Sequence, residues 1–343
     1  MAAPLSDTLL RRHRLAAQCL TAETAAASAA EAASAVVGIQ AQDVRASGLA
    51  LRSRVPGLTR ADVDDADLIR TWTVRGTVHL IPAADRDWLH ALCAPRFGAR
   101  FEGWIDKRGG LETARGMRSD VVDILADQSL DRATLLAELY ARGHDDLGPN
   151  ASNVFMPWLA CQGLVVGLPD GRYRAADPPA PVDPDEALAT MARRYLAGYG
   201  PATASDLAYW SGLSLTAARR GMAAAGPLEA EGDLMALPGA LEQPPPEPPP
   251  VALLAAFDTL LLGWRSRRLL LGRHDQARLL PGSGMISPTI LARGGIAGTW
   301  RLAGTGARRR LEINWFARPA ARAPLEAEAH DVARFLALTD FLM

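Results

Sequence analysis

Cysteine is scarce in this sequence, and long hydrophobic runs are absent. The three cysteines in 343 residues, Cys19, Cys93 and Cys161, stand far apart, with no CxxC pair and no histidine at ligand spacing. This spacing argues against a disulfide framework and a structural zinc site, so we expect three buried thiols, no metal and no cofactor. No stretch approaches roughly 18 apolar residues, and the N-terminus lacks an apolar signal segment. We therefore expect a cytoplasmic protein with no membrane contact.

Lysine is almost missing from the chain. Of the 37 lysine and arginine residues, only Lys107 is a lysine. A mechanism that proceeds through a Schiff base needs an amine, and this chain offers only Lys107 and its α-amino group. Lys107 lies in a glycine-rich segment, Asp106–Gly110, which we expect to be an exposed loop.

The abundant residues are typical of a globular protein. Hydrophobic residues make up 49% and charged residues 22% of the chain, and the length predicts two or three globular units. The net charge of −1 hides one basic segment, 264–310, which has ten arginines, one acid (Asp275) and a formal charge of +9. A solvated face and a phosphate-binding surface explain such a segment about equally well.

The pattern of the chain predicts one structural unit three times: helices followed by a two-stranded hairpin. Apolar periodicity and turn signals give the elements. The predicted helices are 6–20, 24–37, 44–54, 112–127, 131–143, 150–163, 184–198, 203–211 and 214–225. The predicted hairpin strands are 69–74 with 77–81, 164–168 with 172–175, and 228–231 with 234–237. Such units are winged helices, and the sequence therefore predicts an α+β fold with three winged-helix motifs in tandem.

A proline-rich connector separates these units from the rest of the chain. Gln243–Pro250 contains six prolines in eight residues, which favours extended polyproline II backbone. Beyond it we predict a β-rich unit, with strands near 268–272, 286–292, 296–303 and 310–317, capped by a helix over 323–341. The predicted units are therefore 1–95, 96–180, 181–240 and 241–343.

Four segments resemble the winged-helix DNA glycosylases of the AlkZ and YcaQ kind, and the resemblance covers nearly the whole chain. The segments are 38–42 (GIQAQ), 70–80 (RTWTVRGTVHL), 257–267 (FDTLLLGWRSR) and 298–301 (GTWR). The resemblance implies a C-shaped scaffold of three winged helices around a basic channel, acting as a monomer on double-stranded DNA that carries alkylated purines. In some members of that family the activity extends to unhooking interstrand crosslinks.

The resemblance also implies catalytic residues. The family's motif of two glutamines around an apolar residue corresponds to Gln40 and Gln42, with Ala41 between them. An N7-alkylated purine is already cationic, so the base can leave as a neutral molecule, and two amides need only hold a water. Asp43, the next residue, is a further catalytic candidate that could stabilise the developing cation or act as a base. Alternatively, it caps a helix that starts near Val44.

DNA contacts are predicted mainly for arginines, because a planar guanidinium matches phosphate bidentately. The predicted DNA-binding residues are Arg45, Arg75, His79, Arg265, Arg267 and Arg301. His79 could equally be a structural histidine, Trp72 is expected in the core, and Asp258 could simply position an arginine. With so few amines available, the expected activity is monofunctional and leaves an abasic site.

Two other functions stay open at the level of sequence. One is a non-catalytic winged-helix DNA-binding protein or transcriptional regulator, and the other is a protein-interaction scaffold. The segment Asn150–Gly163, which would be a third helix, contains no arginine or lysine. Readout of the major groove by that helix is therefore not favoured.

Overall fold

A computed structural model describes residues 5–145, 147–272, 275–279, 284–305, 309–316, 318–339 and 341–342 of the chain. The helices are, in chain order, α1 (Asp7–Ala17), α2 (Ala29–Ala35), α3 (Val44–Arg52), α4 (Arg60–Asp64), α5 (Arg86–Asp106), α6 (Leu111–Gly116), α7 (Arg118–Leu125), α8 (Arg132–Ala141), α9 (Gly148–Cys161), α10 (Pro184–Tyr199), α11 (Ala204–Ser211), α12 (Leu215–Ala224), α13 (Gln276–Leu279) and α14 (Arg322–Phe335). The strands are β1 (Ile39–Gln40), β2 (Leu68–Trp72), β3 (Val78–Pro82), β4 (Val165–Gly167), β5 (Tyr173–Ala175), β6 (Glu229–Glu231), β7 (Leu234–Ala236), β8 (Val251–Leu254), β9 (Thr289–Ala292), β10 (Gly295–Ala303), β11 (Arg309–Trp315) and β12 (Phe341–Leu342).

Helix starts follow from short polar side chains that accept backbone N–H groups. Ser6 caps α1 and Asp183 caps α10, each in extended backbone. Thr203 caps α11 with a capping box, in which the Asp206 carboxylate accepts a hydrogen bond from the backbone N–H of Thr203. These residues satisfy N–H groups that would otherwise lack partners at the first turn. The start predicted for the first helix at Ser6 or Asp7 is confirmed.

The first two predicted hairpins form a single sheet. Its strand order is β1-β3-β2-β4-β5, and the hairpins meet where Arg70 of β2 pairs with Gly167 of β4. β1 pairs antiparallel with β3, which places Gln40 opposite His79. The edge strand of this sheet therefore carries the first glutamine of the motif.

A long helix that we did not predict, α5, lies between these hairpins in sequence. It runs without interruption through the predicted boundary at 95/96. It packs against α9, α10 and the turn between β2 and β3. This helix and the shared sheet thus connect the first two predicted units. The division of the chain at 95/96 stays a prediction.

The third predicted unit has the expected order of elements. Helices α10, α11 and α12 precede the two-stranded sheet β6-β7, whose register pairs Ala230 with Met235. A bridge between Ala202 and Met235 ties this hairpin to the start of α11. The number of winged helices and their C-shaped arrangement remain predictions.

The C-terminal unit is a five-stranded sheet with α14 packed against β8. Two predictions for this unit are wrong, one of a strand and one of the end of a helix. The strand expected near 268–272 is a turn, because the backbone N–H groups of Leu270 and Leu271 both donate to the carbonyl of Arg267. The last helix ends at Phe335 and not near 341, because Ala337 adopts a left-handed conformation with φ of 50°.

The buried apolar side chains form one connected core that extends from Leu15 in α1 to Phe335 in α14. Cys93 and Cys161 are buried as expected, whereas Cys19 is only half-buried. Burial raises the pKa of Cys161 to about 12, so this thiol stays protonated. Among the described residues, no helix is long and apolar enough to cross a membrane.

Candidate active site

The glutamine motif is held in place by an unusual entry into β1. Val37 and Gly38 both have positive φ, 56° and 96°. A Cβ atom on Gly38 would lie 2.7 Å from Ile81 Cγ2, so the backbone approaches β3 too closely for any other residue. The local sequence thus fixes where β1 begins.

Ala41 fixes the centre of the motif. Its side chain is fully buried, its N–H donates to the carbonyl of Val78 at 2.9 Å, and its carbonyl accepts from Arg70 Nη2 at 2.9 Å. In extended backbone neighbouring side chains alternate in direction, so Ala41 faces away from the glutamines on either side of it. The small side chain fits a position that is closed on every side.

The two glutamines meet as an amide pair. Gln40 Nε2 donates to Gln42 Oε1 at 2.9 Å. Gln40 is 7% exposed, whereas Gln42 is exposed to solvent. The pair therefore joins the end of the sheet to the surface, where a substrate can reach it.

Arg75 lies beside this pair and connects it to α11. It has φ of 56° in the 3-10 turn Val74–Gly76, between β2 and β3. Its Nη1 donates to the carbonyl of Trp210 at 2.5 Å, and its Nη2 is 3.5 Å from Gln40 Oε1. Burial, together with the charge of Arg267, lowers the pKa of Arg75, whereas Tyr199 and Tyr209 act in the opposite sense. The residue predicted to contact phosphate thus already has two acceptors within the protein.

His79 lies in the sheet opposite Gln40 and is 4% exposed. Its Nδ1 is 2.9 Å from Thr73 Oγ1 and 3.0 Å from the carbonyl of Thr77. Burial, and then the positive charge of Arg75, lowers the pKa of His79 to about 3. A buried neutral imidazole with two hydrogen-bond partners favours the structural interpretation over a phosphate contact.

Asp43 caps α3, which is the structural alternative considered for this residue. Its Oδ1 accepts from the N–H groups of Arg45 at 2.8 Å and Ala46 at 3.0 Å. The side chain is exposed and immediately follows Gln42. Partial burial, followed by the charge of Arg309, lowers the pKa of Arg45.

Arg265 and Arg267 line a groove of about 590 Å³ at the start of α11. The remaining lining residues are Thr203, Ser205, Asp206, Ser266, Arg268, Leu271, Gly272 and Gln276. Arg267 Nε donates to the carbonyl of Leu261 at 2.7 Å, and the backbone N–H of Arg265 donates to Asp206 Oδ1 at 3.0 Å. The groove lies at the start of α11, and near the other end of this helix the carbonyl of Trp210 accepts a hydrogen bond from Arg75, the residue beside the glutamine pair.

Asp258 positions an arginine, but it is Arg54 and neither Arg265 nor Arg267. The two side chains form a bidentate pair, with both nitrogen–oxygen distances at 2.9 Å and neither side chain exposed. Arg301, by contrast, is 2.6 Å from Glu312, which also holds Arg310 at 2.6 Å. The charge of Arg301 is therefore partly compensated before any DNA approaches.

Trp72 is half-buried and packs against the core, although it is not fully enclosed.

Two residues near the glutamines were missed: Arg96 and Arg100 of α5. Arg96 Nη1 donates to the carbonyl of Gly212, and Arg100 Nη2 donates to the carbonyl of Arg75 at 3.3 Å. The signal in the sequence was the four-residue spacing of these arginines on a helix. Within the described ranges, no three His, Cys, Asp or Glu side chains form a group that could hold a metal ion.

Comparisons with known proteins place the chain in a family. Residues 33–335 match the family described as DNA glycosylase AlkZ-like. The chain is 26% identical over 306 residues to the interstrand DNA cross-link repair glycosylase of Streptomyces sahachiroi, covering 80% of this chain and 82% of that protein. Its fold matches the solved structure of the Streptomyces sahachiroi DNA glycosylase AlkZ with a TM-score of 0.74 and 22% identity, over 100% of both chains. The family match spans most of the length, and this chain belongs to the AlkZ-like DNA glycosylases.

Proposed function

We propose that this protein is a monofunctional DNA glycosylase that hydrolyses the N-glycosidic bond of cationic N-alkylpurines of the N7-alkylguanine type, with Gln40 and Gln42 positioning the water. The observation that carries the proposal is the amide pair, in which Gln40 Nε2 donates to Gln42 Oε1 at 2.9 Å on the rim of the sheet. The scaffold we propose is three winged helices around a basic channel, acting as a monomer in the cytoplasm.

The amide pair suits a substrate with an activated leaving group. Alkylation at N7 places a positive charge on the purine, and this charge disappears when the glycosidic bond breaks. No general acid is needed to protonate the leaving base. What the protein must supply is a held water and tolerance of a cationic sugar.

The hydrogen bonds of the pair leave groups free for that water. Gln40 uses one N–H on Gln42, and Arg75 approaches Gln40 Oε1 at 3.5 Å. Each amide oxygen has two lone pairs, so both can still accept a hydrogen bond, and among the described residues no acceptor takes the N–H donors of Gln42. The water can therefore donate to a glutamine oxygen while its own oxygen points towards the sugar.

Two titratable side chains beside the glutamines, His79 and Asp43, both have structural roles. His79 is buried, bonded through Nδ1 and neutral at neutral pH, since its pKa is about 3. Asp43 uses Oδ1 to cap α3. Neutral amides are weak bases, so the site should leave unmodified purines intact.

Crosslinked DNA is a second substrate that we propose. The Streptomyces sahachiroi relative is named an interstrand DNA cross-link repair glycosylase. Gln42 is exposed, so a bulky adduct would not have to enter an enclosed pocket, unlike the flipped bases of most glycosylases. The scarcity of lysine supports a monofunctional reaction, because strand cleavage through an amine-linked intermediate has few candidate amines.

The test is base release from a duplex oligonucleotide with one N7-methylguanine, followed by alkali to cleave abasic sites. The wild-type protein should give strand breaks only after alkali, and Gln40→Ala/Gln42→Ala should abolish release while still binding the duplex. Gln128→Ala, an exposed glutamine beyond α7, is the matched control and should retain activity. Retained release in the double variant, or strand breaks without alkali, would contradict the proposal.

A further inference from the structure

We infer that an exposed face of α5 binds the phosphate backbone of the DNA next to the glutamine pair. This α5 ridge consists of Arg96, Arg100, Trp104 and Lys107. The inference rests on the proposed function, since it assumes a duplex DNA partner. It adds a binding surface outside the glutamine motif and the groove at the start of α11.

The ridge is one continuous stripe on the helix. At 3.6 residues per turn, its four residues fall within about 80° around the helix axis. All four side chains are exposed. Lys107 follows the last residue of α5 and still has helical backbone angles. A rod of exposed cations with an aromatic ring between them matches a phosphate backbone in shape and charge.

Hydrogen bonds place this ridge directly beside the catalytic motif. Arg100 Nη2 donates to the carbonyl of Arg75 at 3.3 Å, and Arg75 Nη2 is 3.5 Å from Gln40 Oε1. Arg96 donates to the carbonyl of Gly212, at the end of α11. The ridge is thus one residue removed from the glutamine pair.

The charges of the ridge are not neutralised within the protein. Among the described residues, no carboxylate forms an ion pair with Arg96, Arg100 or Lys107. Glu102 of the same helix pairs instead with Arg115, at 2.8 Å. An arginine with only carbonyl partners keeps its full charge for an anionic ligand, whereas one held by a carboxylate must first give that partner up.

Arg100 is also preorganised for such a ligand. Its guanidinium lies 4.9 Å from the ring centre of Phe97, 5.4 Å from that of Phe101 and 5.1 Å from that of Trp104. These aromatic contacts restrict the side chain, so less entropy is lost when it binds. Stacking leaves the N–H edge of the guanidinium available for phosphate oxygens.

Gly103 supports close approach of a ligand to this face. It lies about 20° from Arg96 around the helix axis, and an added Cβ would meet no atom within 4 Å. Packing therefore does not require a glycine here, although glycine inside a helix costs about 1 kcal/mol relative to alanine. A gap in the side chains beside the ridge lets a DNA backbone come close to the helix.

The experiment measures binding of an undamaged 30-base-pair duplex between 50 and 200 mM salt. Each lost phosphate contact should reduce the slope of log K against log salt by about 0.9. Arg96→Gln/Arg100→Gln should therefore decrease the magnitude of the slope by about 1.8. The loss of affinity between 50 and 200 mM salt should then be about 12-fold smaller than in the wild-type protein. The matched control is Arg318→Gln/Arg322→Gln, two exposed arginines in the C-terminal unit, which should leave the slope unchanged.

A charge-retaining variant separates phosphate binding from a structural role. Arg96→Lys/Arg100→Lys should keep the salt slope, because the two cations remain, even if the affinity falls. Circular dichroism and thermal melting of each variant report whether the fold is retained. The inference is overturned if the glutamine variant has the slope of the control, or if the lysine variant loses as much slope as the glutamine variant.

These outcomes are distinct from failure of the proposed function. If the wild-type protein binds duplex DNA with a slope that depends on the ridge but releases no alkylated base, only the catalytic proposal fails. If it releases the base but the salt slope is the same with and without Arg96 and Arg100, only the inference about the α5 ridge is wrong.

Discussion

Replacing Asp258 by alanine should strongly destabilise the protein, because it leaves the fully buried guanidinium of Arg54 without its carboxylate partner. Arg54 donates to both carboxylate oxygens of Asp258 at 2.9 Å, to Thr259 Oγ1 at 2.7 Å and to the carbonyl of Ala50 at 2.8 Å. Neither partner of the ion pair has any exposed side-chain surface. Burial lowers the pKa of Arg54, but the charge of Asp258 and its hydrogen bonds offset this and raise the pKa above its ordinary value. The substitution therefore removes the main group that stabilises the buried positive charge.

The magnitude follows from this geometry. Breaking a buried pair by removing one partner typically costs about 3–5 kcal/mol. Asp258 Oδ1 also accepts from the backbone N–H of Leu260 at 3.0 Å, so its loss leaves a second donor unpaired. Folded domains have about 5–15 kcal/mol of stability in total, so this single substitution should remove a large part of it.

The assay is equilibrium unfolding in guanidinium chloride, followed by circular dichroism. Arg54→Met/Asp258→Asn should be less destabilised than the sum of its single changes by about 1 kcal/mol or more, because the double variant buries no unpaired charge. Glu312→Ala, which breaks the exposed ion pairs with Arg301 and Arg310, should leave the midpoint nearly unchanged. A loss below about 1 kcal/mol in Asp258→Ala would refute the argument that this buried pair holds the fold together.

Three further predictions concern the surroundings of the glutamines. Asp43→Asn should keep stability and base release, because asparagine caps helices equally well. Asp43→Ala should lower the free energy of unfolding by about 1 kcal/mol. Loss of base release in a stable Asp43→Asn variant would instead identify Asp43 as a catalytic carboxylate. His79 has a folded pKa of about 3, below its unfolded value near 6.5. Its contribution to the free energy of unfolding is therefore fully present above pH 6.5, and it is lost by about 1.4 kcal/mol per pH unit as the pH falls from 6.5 to 3. Unfolding of His79→Gln across this pH range should lack that slope, and an identical slope in both proteins would exclude His79 as its source. Gly38→Ala should lower the free energy of unfolding by about 1–3 kcal/mol through strain and slow base release by displacing β1. Gly57→Ala, whose Cβ would meet no atom within 4 Å, should retain the wild-type rate. Equal rates in both variants would contradict this account of Gly38.

Local sequence patterns determined the secondary structure wherever a side chain acts on its own backbone. Ser6 and Asp43 predicted helix starts because a short polar side chain satisfies nearby N–H groups. The β-branched runs around Arg75-Gly76 predicted the first hairpin. The same patterns failed at 268–272, where apolar residues are buried in a turn, because apolar character alone does not distinguish a strand from a buried loop.

The candidate site was only partly contained in the sequence. The motif resemblance identified Gln40 and Gln42, and extended backbone brings two residues at this spacing to the same side, which allowed the amide pair. The contact of Arg75 with Gln40 depends on β3 pairing with β1, which no local spacing encodes. The roles predicted for these residues remain to be tested.

The sequence by itself determined the helix caps, the hairpin turns and the place of the glutamine motif, because these depend on interactions within a few residues. Only the tertiary structure decided the rest. It paired Asp258 with Arg54, 204 residues away, and brought Arg96 and Arg100 against the hairpin turn and the end of α11. Such contacts arise when separate elements bury a common core, and that packing determines which charges are compensated and which stay free to bind an anion.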